Sequence, residues 1–218
     1  MRLKGWLWPM TCSSVVVGII VFSAGMGGSS PVAAPVSPQD TVEALAVEAL
    51  RIDQSSFVPA SLSSAAPAST SFQVAGPRDL VKVPPEIASG ASAAEISDTD
   101  IKGRAKIDSV FSGAPRAKIL EEHARVIAGL KGDPTFRPLG GGVDSAVWDS
   151  VVVNGDTATV HGNAVLWSEM AQLNPVTGIW SVARPSASVI VSMTMRRDAS
   201  GKWIVETYDW DFPPGYSP

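Results

Sequence analysis

The chain has 218 residues, a formal net charge of −4 and a single cysteine. The acidic balance leaves no basic footprint for nucleic acid, and the lone Cys12 excludes an internal disulfide or a cysteine-based zinc cluster. Beyond the N-terminus, Trp and Tyr residues all follow Gly142, which places the expected core in the C-terminal half.

Arg2 and Lys4 precede an uncharged run from Gly5 to Gly28, most apolar over Val15 to Phe22. Positive residues before such a run orient the N-terminus inward and the remainder outward. The 24 residues from Gly5 to Gly28 suffice to cross about 30 Å of hydrocarbon at ~1.5 Å per residue. Residues 1–28 are therefore expected to be a signal peptide or an N-terminal membrane anchor. The anchor reading gives a single-pass protein with its C-terminal domain outside; cleavage near Ser23-Ala24-Gly25 or in the Val32-Ala33-Ala34 neighbourhood gives a secreted one. Cys12 precedes the apolar run, which excludes a lipoprotein site.

Residues 29–97 read as a disordered linker. Prolines at 31, 35, 38, 59, 67, 77, 84 and 85 break helices, and Ser/Ala filling buries too little apolar area to offset chain entropy. One island differs: Asp40 and Glu43 form a capping-box-like start, and Val42, Leu45, Ala46, Ala49 and Leu50 share a helical stripe. A short helix over 41–52 is expected there, transient within the spacer, with a docking helix as the alternative.

From residue 98 onward a folded domain is expected, to 218. Ser97-Asp98-Thr99-Asp100 supplies N-cap residues, with Ile101, Ala105, Val110 and Phe111 as the buried stripe. Pro115 suits the first turn of a second helix reaching about Gly129, carrying Ile119, Leu120, Val126, Ile127 and Leu130. His123 on this helix, beside Glu121, Glu122 and Arg125, is read as solvated. Gly140-Gly141-Gly142 lacks the Gly-Lys-Ser/Thr ending of a phosphate loop and reads as a flexible lead-in to a sheet.

Asn154-Gly155 between two β-rich runs signals a two-residue type I′ hairpin, which pairs Trp148 with His161. After it, Ala158, Val160, Ala164 and Leu166 alternate with Thr157, Thr159, His161 and Asn163, a strand with one buried face. A return through 174–178 leads to Ile179–Val182. Val189, Val191, Met193 and Met195 make another strand, and Asp198–Gly201 a turn. The last strand runs from Lys202 and puts Ile204, Tyr208, Trp210 and Phe212 on one face. The expected class is α+β: two N-terminal helices packed on a curved antiparallel sheet of four to six strands, preceded by a membrane segment and a disordered linker.

Two stretches, Val151–Val160 and Arg196–Val205, resemble the nuclear transport factor 2-like superfamily, the cone-shaped fold of ketosteroid isomerase and SnoaL-like cyclases. Together with the apolar N-terminus and Pro/Ala-rich stalk, the chain resembles actinobacterial Mce-associated and conjugation TcpC-like extracytoplasmic proteins. The resemblance covers about residues 98–218 and implies the cone fold. That fold hosts both catalysts and empty scaffolds.

An isomerase-like site needs a carboxylate base and a donor converging on an apolar cavity. His161, Tyr208 and Asp209 are the pocket candidates; Asp149, Glu169 and Asp211 are further ionisable groups on strands. Trp148, Trp167, Trp180 and Trp210 are candidate binding residues, since indoles concentrate at interfaces. No Ser elbow, metal-ligand spacing or nucleotide fingerprint is present, so no cofactor, metal or catalytic set is assigned. The expected function is a non-catalytic, membrane-tethered accessory or assembly module in an envelope or transport complex. The alternative is a secreted small-molecule binder or isomerase/cyclase-like enzyme using the cone cavity.

Overall fold

The computed structural model describes residues 37–65 and 84–215. The expected membrane segment at 1–28 lies outside them, as do residues 29–36 and 66–83 of the expected linker. Among the described residues, no helix is long and apolar enough to cross a membrane.

Helix α1 spans Pro38–Ser55. Its capping box is Ser37 with Asp40 rather than Asp40 with Glu43. The Ser37 hydroxyl accepts from the Asp40 amide at 3.0 Å, and the Asp40 carboxylate accepts from the Ser37 amide at 3.2 Å. Pro38 fits the first turn because that position has no helical partner for an N–H. Val42, Ala46, Ala49, Leu50 and Ile52 are all buried in the main core. The helix expected over 41–52 is thus present, longer, and part of the folded body rather than of a spacer. Burying each large apolar side chain is worth about 1.5–3 kcal/mol, which supplies what an isolated helix of this length lacks.

Two short helices follow, α2 (Ala60–Ala65) and α3 (Pro85–Ser89). Helix α4 (Ala93–Val110) is capped by Ser92, whose hydroxyl accepts from the Glu95 amide at 3.2 Å, so the start is one turn earlier than expected. Its buried stripe is Ile96, Thr99, Gly103, Ile107 and Val110. Ile101 is 66% exposed, against expectation. The bare Gly103 backbone sets the contact with the next helix and turns Ile101, about 200° away, outward. Helix α5 (Gly113–Gly132) buries Pro115, Ile119, His123, Ile127 and Leu130.

The sheet has five antiparallel strands: β1 (Phe136–Asn154), β2 (Thr157–Asn174), β3 (Ile179–Ala183), β4 (Ser186–Arg197) and β5 (Trp203–Asp211). Their order is β1-β2-β4-β5, with β3 paired to the far end of β2. The α+β class, with helices before the sheet, therefore stands. In the β1–β2 hairpin Asn154 pairs with Thr157, so the loop residues are Gly155 and Asp156. Gly155 has φ 59° and no described non-glycine residue has positive φ. Positive φ at the first centre alone is the type II′ pattern, not the expected type I′.

Three residues of β1, Leu139, Asp144 and Asp149, are inserted without a partner, and Glu206 is inserted in β5. Such bulges bend and twist the strand. They also reset the alternation. Trp148 pairs with Gly162, and His161 with Ser150, correcting the Trp148–His161 pairing. On β5, Trp203 and Val205 face inward before the bulge and Tyr208 and Trp210 after it, so Ile204 does not share their face.

Gly140–Gly142 lies inside the β1 ladder, opposite Glu169, Ser168 and Trp167, rather than in a flexible lead-in. A Cβ on Gly141 would lie 2.0 Å from the Gln54 carbonyl oxygen, so the end of α1 rests on the strand backbone itself. The main core unites α1, α4, α5 and the even residues of β2 through Leu166. Beyond Leu166 burial switches to Glu169 and Ala171. There a second cluster of Leu62, Ile87, Leu139 and Ala171 covers the other face beneath α2 and α3.

Candidate functional site

A polar focus where α1 packs on the sheet is Asp53, on the last turn of the helix. Its Oδ2 accepts from the Tyr208 hydroxyl at 2.8 Å and from the Trp210 indole N–H at 3.3 Å. The Glu206 bulge turns both aromatic side chains toward α1. Burial pushes the Asp53 carboxyl up, against the pull of the Tyr208, Trp210 and Gln54 donors and of the Lys118 charge. Burial, followed by the Asp53 charge, holds the Tyr208 phenol well above its ordinary value, so it remains a donor. Partial burial and the Asp53 charge also raise Glu122 on α5. Phe111 meets the Tyr208 ring edge-on at 5.5 Å, and Phe212 meets Trp210 at 5.9 Å.

A carboxylate of raised basicity beside a phenol donor is a pairing suited to proton transfer. The cleft that Trp210 lines next to this pair is small. The apolar cleft bounded by Gln54, Leu166, Val189, Pro185, Trp210 and Phe212 has a volume of about 30 Å³. That admits a water molecule, whereas organic ligands occupy roughly 300–1,000 Å³.

Asp53 falls within residues 29–97, the stretch read from the sequence as linker. The overlooked signal was its spacing from Val42, Ala46, Ala49 and Leu50, which puts it on their face.

A second buried network ties three helices together. His123, 1% exposed, has Nδ1 3.3 Å from the Ser56 hydroxyl and Nε2 3.1 Å from Asp100 Oδ1. A neutral ring protonated at Nε2 satisfies both: it donates to Asp100 and accepts from Ser56. The expected solvated position of His123 is therefore corrected. Its spacing with Ile119, Ile127 and Leu130 sets it on the buried face. Arg104 also binds Asp100, at 2.7 Å. A Cβ on Gly103 would come within 2.2 Å of the His123 ring. The chain thus brings Ser, His and Asp together, but Ser56 and His123 are buried and packed, and the arrangement crosslinks α1, α4 and α5.

Burial lowers the His123 pKa, with the Asp100 contact partly opposing. The unfolded ring, with its ordinary value near 6.5, takes up a proton first on acidification. Stability from the neutral ring is full above that value and declines as pH falls through and below it. We expect Tm to drop between pH 7.5 and 5. A His123→Gln variant should lose about 1–2 kcal/mol at pH 7.5 and show a flatter dependence. Parallel slopes for both proteins would remove His123 as the cause.

The remaining candidates do not converge. His161 lies on the outer face, 55% exposed, with Nδ1 3.7 Å from Asp149, which the bulge places on the same side. Asn163 donates to that carboxylate at 3.2 Å. Asp209 shares the His161 row, with Ser192 between them. Both face away from Tyr208. Asp211 accepts from the Phe212 amide. Glu169 is buried and its carboxyl is raised by burial, with the Arg184 charge opposing.

The indoles disperse as well. Trp148 packs partly against the main core. Trp167 lies under the Arg184 guanidinium at 4.0 Å, and Trp180 beside Arg137 at 5.5 Å. Trp210 belongs to the Asp53 cluster. Among the described residues, no three His, Cys, Asp or Glu side chains gather as a metal site.

No protein-family model and no curated protein matches the chain. Several solved structures resemble it at low similarity. The intermembrane-space region of the chloroplast protein ARC6 is 12% identical, with 81% of this chain and 98% of that one aligned and a TM-score of 0.45. A periplasmic fragment of TraM is 10% identical over 80% and 98% of the two chains, at a TM-score of 0.37. A nuclear transport factor 2-like superfamily protein from Salmonella enterica serovar Typhimurium is 11% identical over 52% and 80%, at 0.35. Similarity at this level assigns neither a family nor a function to the chain.

Proposed function

We propose that this chain is a non-catalytic extracytoplasmic accessory or assembly module, tethered to the cell membrane by its N-terminal segment and working in an envelope or transport complex. The finer assignment within this reading is to an Mce-associated or TcpC-like protein. The observation that supports the non-catalytic part is the packing of helix α1 on the sheet around Asp53. Helix α1 packs against β1 and β2, Asp53 is bonded to Tyr208 and Trp210, and the cleft that Trp210 lines nearby has a volume of about 30 Å³. The tether rests on Arg2 and Lys4 before the uncharged run.

Intact-mass analysis of the native protein with membrane fractionation tests the reading. A full-length mass in the membrane fraction, with protein crosslinks from the folded domain, is the expected result. A mass beginning near residue 26–36 in the medium removes the tether.

A second reading, a secreted small-molecule binder or isomerase-like enzyme, is favoured by one observation: the raised Asp53 carboxyl beside the Tyr208 phenol. It requires the cleft to open. Saturable quenching of tryptophan emission by an apolar ligand, lost in Trp210→Phe, would support it.

A further inference from the structure

Arg137, near the start of β1, is 7% exposed. Gly90, just after α3, lies against its guanidinium: a Cβ there would be 2.6 Å from Nε. Nη1 is committed to two backbone carbonyls, Phe136 at 2.7 Å and Asp133 at 3.0 Å. Nε is buried without a hydrogen-bond partner. Among the described residues, Nη2 has none either, and no carboxylate lies within ion-pair distance of the group. Nε and Nη2 form one edge of the guanidinium, the fork that takes both oxygens of a carboxylate side by side.

Asp133, the acid whose charge acts on this group, has one carboxylate oxygen already engaged. Its Oδ1 accepts from the Thr135 amide and hydroxyl at 2.7 and 2.6 Å. Burial depresses the Arg137 pKa, with the Asp133 charge opposing, yet guanidinium keeps its proton throughout the ordinary pH range. A buried cation without a directly paired carboxylate is costly even beside the Trp180 ring, and a bound anion relieves that cost. Beside Arg137 lies a cleft of about 230 Å³, bordered also by Ser89, Lys131 and Asp133. Its walls carry two cations and one carboxylate, together with the carbonyl end of α5. That balance suits one negative charge better than two.

We infer that this cleft is a carboxylate-binding site, in which the Nε/Nη2 fork of Arg137 receives one monoanionic carboxylate and Lys131 attracts it from the rim. The volume fits a small organic acid or the last residue of a peptide. The site is distinct from the Asp53 cluster and stands whether the domain is tethered, secreted, accessory or catalytic.

The test is titration of the ¹⁵N-labelled full chain in detergent with acetate and with a short N-acetylated peptide, read at the Arg137 Nε–H resonance. Chloride and inorganic phosphate at matched ionic strength are the controls. A saturable shift at millimolar acetate is expected. Read at the Gly90 backbone amide, which borders the same cleft and is present in every variant, binding should weaken at least ten-fold in Arg137→Met and several-fold in Lys131→Glu, whose exposed position leaves folding intact. Tighter binding of the peptide than of acetate identifies a chain terminus as the source; equal binding identifies a free acid. No saturable shift, or affinity unchanged in Lys131→Glu and Arg137→Met, overturns the site. Phosphate binding tighter than acetate overturns the single-charge assignment.

Discussion

Replacing Asp53 by alanine is expected to lower stability by about 3 kcal/mol, because the Tyr208 hydroxyl and the Trp210 indole N–H lose their acceptor together. Asp53→Asn should behave differently. An amide oxygen can receive both donors without carrying a buried charge. The Asp53 pKa is raised in the fold, so its contribution is fully present below the ordinary value of 3.8 and is lost as pH rises through the folded value. The asparagine variant should therefore match or exceed the native protein at pH 7, and that margin should shrink toward pH 4. Denaturant unfolding of the three proteins at both pH values measures this. An asparagine variant as weak as alanine at pH 7 would show that the network needs the negative charge.

Gly141→Ala is expected to cost about 3 kcal/mol or more, lowering Tm by roughly 6–12 °C. The new methyl would lie 2.0 Å from the Gln54 carbonyl oxygen and 2.8 Å from its carbon. Those are backbone atoms at the end of α1, so no rotamer change relieves the overlap. Only a retreat of the helix from β1 would do so, and that retreat would disturb the neighbouring Asp53 contacts. Gly129→Ala, inside α5 with nothing within 4 Å of the added carbon, is the control. Helix propensity alone predicts a gain there of up to about 1 kcal/mol. A thermal melt in which both variants behave alike would remove helix docking as the cause.

The sheet was legible because its signals are local. The β2 alternation from Ala158 to Leu166 and the β4 series from Val189 to Met195 both match the observed burial. Gly155 marked the hairpin, although the choice of centre was one residue off. The one-residue error alone moved the partner of His161 from Trp148 to Ser150, and the Asp149 bulge then set Trp148 opposite Gly162. Bulges leave little local trace, since an inserted Asp or Glu on an exposed edge resembles any surface residue. Hence Tyr208 and Trp210 were correctly placed together, while Ile204 was wrongly added to their face.

The helical half was harder to read. Prolines and serines around α1 have linker composition, yet the apolar stripe between them is buried against β1 and β2. Asp53 and His123 were missed for the same reason. Each sits at a core-facing helical position, but a polar residue in a stripe is discounted unless its partner is known. Their partners, Tyr208 and Asp100, lie 155 and 23 positions away in the chain. Arg137 was not singled out because its significance depends on contacts with Gly90 and Trp180 from separate elements.

The three inserted residues of β1 have a consequence for crowded conditions. β1 lies at the border of the sheet, where a long run of open amides and carbonyls invites a second chain to add a strand. Two of the insertions, Asp144 and Asp149, break the run into short segments and place a carboxylate at each break. An incoming strand would meet interrupted spacing and negative charge instead of a continuous template. The residues that interrupt the β1 ladder thereby also discourage edge-to-edge polymerisation.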